Sequence, residues 1–159
     1  MKAELKARLE HWSVISIATG FFSGFFPVAP GTAGSLVGVA FVWLFRDTAI
    51  FFQVVLCLFL AGIGVWASQK AGQHFKVADS SHIVIDEIVG MMLTMIGIPV
   101  TRYWLVIGFL LFRFFDIMKF PPANLADQKL KNGWGVMLDD IIAGIFANVL
   151  LRLMLRSAV

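Results

Sequence analysis

Two adjacent carboxylates stand inside an oily stretch, Ile83-Val84-Ile85-Asp86-Glu87-Ile88-Val89-Gly90, that stays apolar through Ile98. The same placement recurs at Arg113-Phe114-Phe115-Asp116 and at Asp139-Asp140, so five of the ten acidic residues lie against apolar runs. An ionised carboxylate in such surroundings is costly unless it is paired, hydrated or bound to a metal. Carboxylates without His or Cys partners suit a hard cation such as Mg²⁺, and a group of them would repel one another without it. Donors for an anion are also at hand. Arg113 and Lys119 flank Asp116, and Gly31-Thr32-Ala33-Gly34-Ser35 opens an apolar segment, where free amides and the positive end of a helix would face a ligand. A divalent cation beside phosphate donors is what hydrolysis of a phosphate ester requires.

Plainer readings compete with this one. Arg113 and Asp116 would simply pair with each other, the remaining acids would sit in headgroup water, and Thr32 or Ser35 would cap a helix. His74 and His82 lack the paired spacing of a metal site. Cys57 is the only cysteine, which excludes a disulfide framework and a thiolate cluster. It reads as a small packing residue.

The elements that carry these residues belong in lipid. The chain has 159 residues, enough for one domain over 1–159, and 59% of them are hydrophobic against 14% charged. The mean hydropathy is +0.85, far above soluble norms. The net charge of +3 reads as an orientation signal for anionic lipid; no basic stripe with interleaved aromatics points to nucleic acid. No cleavable signal peptide is evident in the charged start Met1–Glu10, which suits a membrane-surface helix or a frayed terminus.

Trp12 to Phe26 is short for a crossing and is followed by Pro27 and Pro30, which reads as a re-entrant or tilted segment. Leu36–Phe45 is apolar, and Thr48–Ala67 is the clearest transmembrane helix, with a polar connection from Gln69 to Asp79 after it. Ile83–Ile98, Tyr103–Met118 and Val136–Leu155 follow. The fold class expected is all-α: a membrane bundle of about four transmembrane helices plus the re-entrant N-terminal segment. Asp86, Gly90, Thr94 and Gly97 form a small-residue stripe suited to close packing, and Asp140, Gly144, Ala147 and Leu151 form another.

Threading the chain back and forth places Asp79, Asp86, Glu87, Asp116, Asp127, Asp139 and Asp140 on one side, together with the Gly31–Ser35 turn. If the N-terminal segment does not cross, nine Lys and Arg fall on that side, against Arg46, Arg102, Arg152 and Arg156 on the other. The positive-inside rule makes the acidic side cytoplasmic.

Four stretches resemble the phosphatidylglycerophosphatase A family. They are Gly24-Phe25-Phe26-Pro27-Val28-Ala29-Pro30-Gly31-Thr32-Ala33-Gly34-Ser35-Leu36, Ile83 through Met91, Phe112 through Lys119, and Gly133 through Gly144. They occur in the family's order at similar spacing, and Asp79 and Asp127 fall where the family tends to carry Asp. His82, Asn132 and Phe120-Pro121-Pro122 depart from the pattern, all in connecting segments.

The resemblance implies a magnesium-dependent, multi-pass enzyme of the bacterial inner membrane, with its site facing the cytoplasm. It would remove the terminal phosphate of phosphatidylglycerol phosphate to give phosphatidylglycerol. Asp86, Glu87, Asp116, Asp139 and Asp140 would hold one or two Mg²⁺ ions. Gly31, Thr32, Ser35, Arg113 and Lys119 would hold the phosphomonoester. Attack by an activated water is preferred to an aspartyl-phosphate route. The partners expected are an anionic phospholipid substrate and the bilayer, with room left for a homo-oligomer. From other classes, a small divalent-cation transporter or channel and a non-catalytic scaffold are the alternatives; the confinement of the acids to one side disfavours the transporter.

Overall fold

The structure, a computed structural model, describes residues 1–118, 120, 121, 130 and 132–157. Six α-helices are formed among the described residues: α1 (Lys2–Ala18), α2 (Pro30–Leu44), α3 (Ile50–Phe75), α4 (Ile85–Met95), α5 (Arg102–Met118) and α6 (Gly133–Ser157). A 3₁₀ turn, Ser23–Phe25, links α1 to α2. No strand occurs among the described residues. The all-helical class expected from the apolar runs is therefore present.

A short helix is the centre. α4 has 11 residues, about 16 Å of rise, and nearly all of them are buried between α2, α3, α5 and α6. Glycines let its neighbours approach. A Cβ on Gly144 of α6 would stand 2.6 Å from the Gly90 carbonyl oxygen, so the two helices cross there backbone to backbone. Gly38 of α2 lies against Met91 in the same way. Most of the two small-residue stripes meets as the spacing suggests: Asp86, Gly90 and Thr94 are buried, as are Asp140, Gly144, Ala147 and Leu151. Gly97 lies past the end of α4, at φ +69°, beside the Arg152 guanidinium.

Three elements differ from the sequence expectation. The continuous hydropathy of Ile83–Ile98 suggests one crossing helix, yet the chain stays irregular through Val84, whose N–H donates to the Ala18 carbonyl at 2.9 Å, and turns again after Met95. The polar Gln69–His74 stretch is helical, not a connection; α3 runs on to Phe75 and ends where Lys76 adopts a left-handed conformation at φ +59°. The Trp12–Phe26 segment is two pieces. α1 incorporates the charged start and ends at Ala18, and a left-handed stretch over Gly20, Phe21 and Phe22 then reverses the chain.

Among the described residues one helix, α3, is long and apolar enough to cross a bilayer. Most of its apolar length is exposed, unlike the core helix of a soluble protein. Large apolar side chains also project outward from α2 (Leu36, Trp43), α5 (Val106, Leu110, Phe114) and α6 (Ile145, Val149, Leu153). Such a continuous apolar exterior marks a surface made for a non-aqueous neighbour.

Candidate active site

The acids sit where four helices come together. α4 begins one residue before Asp86, which puts Asp86 and Glu87 in its first turn, where the helix dipole favours negative charge. α6 brings Asp139 and Asp140, each at most 7% exposed, and the end of α5 brings Arg113 and Asp116. The start of α2 closes the fourth side. Gly31 packs against Glu87 and the Arg113 guanidinium; a Cβ there would overlap the Glu87 carboxylate and stand 3.2 Å from Arg113 Nη1. Only glycine allows that approach.

Asp86, Glu87 and Asp140 each present an oxygen within 4.8 Å of the others. Asp116 is in electrostatic contact with Glu87 and Asp140, and Asp139 with Asp86 and Asp140. The Asp140 N–H donates to Asp139 Oδ1 at 3.1 Å. All five acids singled out from the sequence thus converge.

Among the described residues one guanidinium opposes them. Arg113 Nη1 is in close hydrogen-bonded contact with Asp116 Oδ2, lies 4.0 Å from Glu87 Oε1, and donates to Ser35 Oγ at 3.5 Å. One cation cannot neutralise five carboxylates in a buried site. The accounting is incomplete at particular atoms. Asp86 Oδ1, Glu87 Oε2 and Asp140 Oδ2 are buried with no hydrogen-bond partner. Buried polar atoms are normally satisfied. Three carboxylates that each carry an orphaned oxygen and come within 4.8 Å of one another form an oxygen-only donor set, which fits a hard divalent cation.

The phosphate-binding candidates divide. Gly31 and Arg113 are at the site. Ser35 is buried near Arg113, but its hydroxyl donates back to the Gly31 carbonyl at 2.8 Å. Thr32 is half-buried in the first turn of α2. Neither Thr32 nor Ser35 caps the helix: Ala29 holds the cap position and Pro30 the first turn, so the Gly31–Ser35 stretch is helix from the outset. Lys119 and Asp127 lie outside the described residues.

His82 is a packing residue, as its spacing suggests. It sits between Phe25 and Phe75, with Nδ1 3.0 Å from the Gly24 carbonyl. Sequence reasoning missed the tether that sets the start of α6, where the Gly133 N–H donates to Gln69 Oε1 at 2.8 Å. No sequence signal marks a contact between residues so far apart.

Comparison with known proteins supplies the family. The family model for Phosphatidylglycerophosphatase A matches residues 16–155. A Haemophilus influenzae protein named phosphatidylglycerophosphatase A is 39% identical over 136 residues, covering 82% of each chain. An Escherichia coli protein of the same name is 35% identical over 134 residues, 82% of this chain and 77% of the relative. A Bacteroides thetaiotaomicron protein named "Putative phosphatidylinositol-3-phosphatase" is 38% identical over 145 residues, 86% of this chain and 90% of the relative. No solved structure matches. The matched span begins before the 3₁₀ turn and ends inside α6, so it takes in every helix that contributes to the acid site, and the chain belongs to the phosphatidylglycerophosphatase A family.

Proposed function

We propose that this protein is a magnesium-dependent lipid phosphatase that hydrolyses the terminal phosphomonoester of phosphatidylglycerol phosphate, giving phosphatidylglycerol and phosphate. The observation that carries the reading is the set of orphaned oxygens on Asp86, Glu87 and Asp140. These three would hold Mg²⁺, with Asp116 and Asp139 completing the negative surround. When bound, the ion supplies charge neutralisation at the phosphoryl oxygens and lowers the pKa of a nearby water.

The chain's own residues do the rest. Arg113, at the meeting of α2, α4 and α5, would exchange part of its carboxylate contact for the phosphomonoester once a cation has entered. The amino end of α2, brought in at Gly31, adds the positive end of a helix dipole, with Thr32, Ser35 and Lys119 as further phosphate contacts. A carboxylate of the cluster accepts the proton of the attacking water, and the leaving glycerol oxygen takes up a proton as phosphate departs.

In the same reading the protein lies in the bacterial inner membrane with about four membrane helices. α2, α3, α5 and α6 face lipid, and α4 completes its pass inside them. The acids face the cytoplasm. Trp43 with Arg46, and Tyr103 with Trp104, then mark the opposite interface.

The transporter reading is not favoured. A path needs polar groups across the bundle, and the three that the sequence offers are already bonded. Thr94 Oγ1 donates to the Gly90 carbonyl, Asn148 Nδ2 to the carbonyls of Thr94 and Ile96, and Gln53 Nε2 to those of Phe45 and Thr48.

The test is phosphate release by purified protein from phosphatidylglycerol phosphate, phosphatidic acid and a soluble phosphomonoester, with Mg²⁺ and with EDTA. Release from the first substrate that EDTA abolishes is the expected result. Release that persists in EDTA overturns the metal, and release from the soluble ester alone overturns the lipid.

A further inference from the structure

The connection between α1 and α2 carries backbone strain. Gly20, Phe21 and Phe22 follow one another in the left-handed region, at φ +53°, +55° and +69°. Glycine fits there freely and asparagine comes close, whereas a bulky side chain at positive φ is rare. Thr19, buried beneath the turn, fixes the conformation. Its hydroxyl donates to the Ile15 carbonyl at 2.8 Å and accepts the Phe22 N–H at 3.2 Å, and its carbonyl accepts the Gly24 N–H at 3.0 Å. Strain persists where the surroundings over-determine it, and the result here is a set of outward-facing apolar side chains. Phe21, Phe22, Phe25, Phe26 and Val28 are between 45 and 71% exposed. Contact with water would add a second penalty to the first.

Sequence and packing both point to lipid as the cover. Residues 12–45 include no Lys, Arg, His, Asp or Glu. The turn also lies along the flank of α2, not over its end. The Phe21 ring stacks on Phe41 at 6.5 Å between centroids, and Phe41 is about 15 Å of helical rise beyond Gly31. From Phe41 the rings continue to Phe45 at 6.2 Å and on to Phe52 of α3 at 5.9 Å. The turn is thus continuous with the exposed flank of α3, the helix long and apolar enough to cross a bilayer. Acyl chains that cover one reach the other.

The turn is fastened to the acid site as well. The Ala18 carbonyl accepts the N–H of Val84, two residues before Asp86, and Gly24 packs against the His82 carbonyl. Pro30 and Gly31 then begin α2 beside Glu87.

We propose that residues 21–28 are a bilayer anchor whose rings enter the acyl chains of the leaflet that holds the substrate, fixing the acid site at headgroup depth. The re-entrant element is this turn and not α1. The inference rests on the lipid phosphatase reading, and its test is read without turnover.

Cys57, the one cysteine of the chain, is buried, so Phe22→Cys and, on unstrained backbone, Phe26→Cys each give one reactive thiol for an NBD fluorophore. Gln73→Cys, at the exposed polar end of α3, is the reference. In vesicles of phosphatidylcholine and phosphatidylglycerol, doxyl groups on the acyl chains should quench the fluorophore at 22 and 26 several-fold more than aqueous iodide does. The order should reverse at 73. Iodide quenching at 22 and 26 equal to that at 73 overturns the anchor. Shielding from both quenchers also overturns it, and would mark a second copy of the chain as the occupant. Asparagine suits left-handed backbone, so Phe21→Asn with Phe22→Asn should leave the melting temperature in detergent unchanged. In vesicles the same pair should open position 26 to iodide and raise KM for phosphatidylglycerol phosphate several-fold, with kcat within twofold. Unchanged quenching and unchanged KM in that variant overturn the role of the rings. Acyl-chain quenching in a protein that releases no phosphate would leave the anchor standing and refute the reaction; turnover by a protein whose turn is open to iodide would do the reverse.

Discussion

The two ends of α4 are treated in opposite ways. At its C-terminal end the carbonyls of Leu93, Thr94, Met95 and Ile96 all accept hydrogen bonds. Asn148 Nδ2 reaches the carbonyl oxygens of Leu93, Thr94 and Ile96 at 3.4, 2.8 and 3.0 Å. Arg152 Nη2 donates to Ile96 O at 2.8 Å, and Arg152 Nε holds Asn148 Oδ1 at 2.8 Å. Both side chains come from α6. At the N-terminal end α6 contributes Asp139 and Asp140 instead, and buried carboxylate oxygens are left without partners. The same pair of helices therefore builds one saturated junction and one unsaturated junction. A helix end with its orphan groups capped is a structural solution. A buried cluster of like charges with open valences must be relieved by a bound cation or by protonation, and that difference sets the candidate site apart from the scaffold.

The largest effect should come from removing an open carboxylate. Asp86→Ala or Asp140→Ala should lower kcat for phosphatidylglycerol phosphate by about 10²–10³-fold or more, the scale for losing one electrostatic contact in an active site. The protein should still insert and remain helical by circular dichroism, because each change also relieves repulsion. Near-normal turnover from either variant would remove that residue from the site.

Next in size is the metal itself. If the acidic junction is completed by a cation, Mg²⁺ should raise the melting temperature in detergent in a concentration-dependent way. At one hundred times the dissociation constant the gain is about 2.7 kcal/mol. Asp86→Asn should flatten that dependence, whereas Arg152→Ala at the other junction should leave it intact. A melting temperature indifferent to Mg²⁺ in the native chain would mean that the open oxygens are satisfied some other way.

How far this contrast was legible in the sequence depends on distance along the chain. The convergence of the acids could be read, because Asp86 falls at the start of one apolar run, Asp116 at the end of the next and Asp140 at the start of the last, and back-and-forth threading puts those ends together. The packing stripe through Gly90 and Gly144 could be read from helical spacing. The length of α4 could not. Hydropathy is continuous from Ile83 to Ile98, while the breaks are made by tertiary contacts: Val84 bonds to Ala18, and Gly97 turns against Arg152. The end of α3 was misplaced for a related reason. Gln69, Lys70 and Gln73 are polar but form helices well, and composition is a poor guide to where such a helix stops. Pro30 held the clue to the start of α2, since proline in the first turn places Gly31–Ser35 inside the helix.

A third comparison bears on the crossing that both junctions share. Gly144→Ala would push a methyl group toward the Gly90 carbonyl, where a Cβ stands 2.6 Å away. Overpacking of this kind costs about 1–3 kcal/mol. Because the crossing lies one turn beyond Asp140, the variant should lose Mg²⁺ affinity as well as stability. A drop in melting temperature with unchanged Mg²⁺ dependence would show that the acidic junction tolerates a displaced α6.

The smallest effect is expected at the saturated end. Arg152 is exposed, so Arg152→Ala should cost no more than about 1 kcal/mol, the net worth of an ordinary hydrogen bond, and kcat should stay within a few-fold of the native value. Asn148→Leu is the stricter version. It withdraws the donor from three carbonyls at once and leaves Arg152 without its Asn148 acceptor. Its cost should exceed that of Arg152→Ala while the Mg²⁺ dependence of melting is retained. If Asn148→Leu instead abolished turnover in protein that melts normally, the end of α4 remote from the acids would be setting the position of Asp86 and Glu87, and the two junctions would have to be treated as one device.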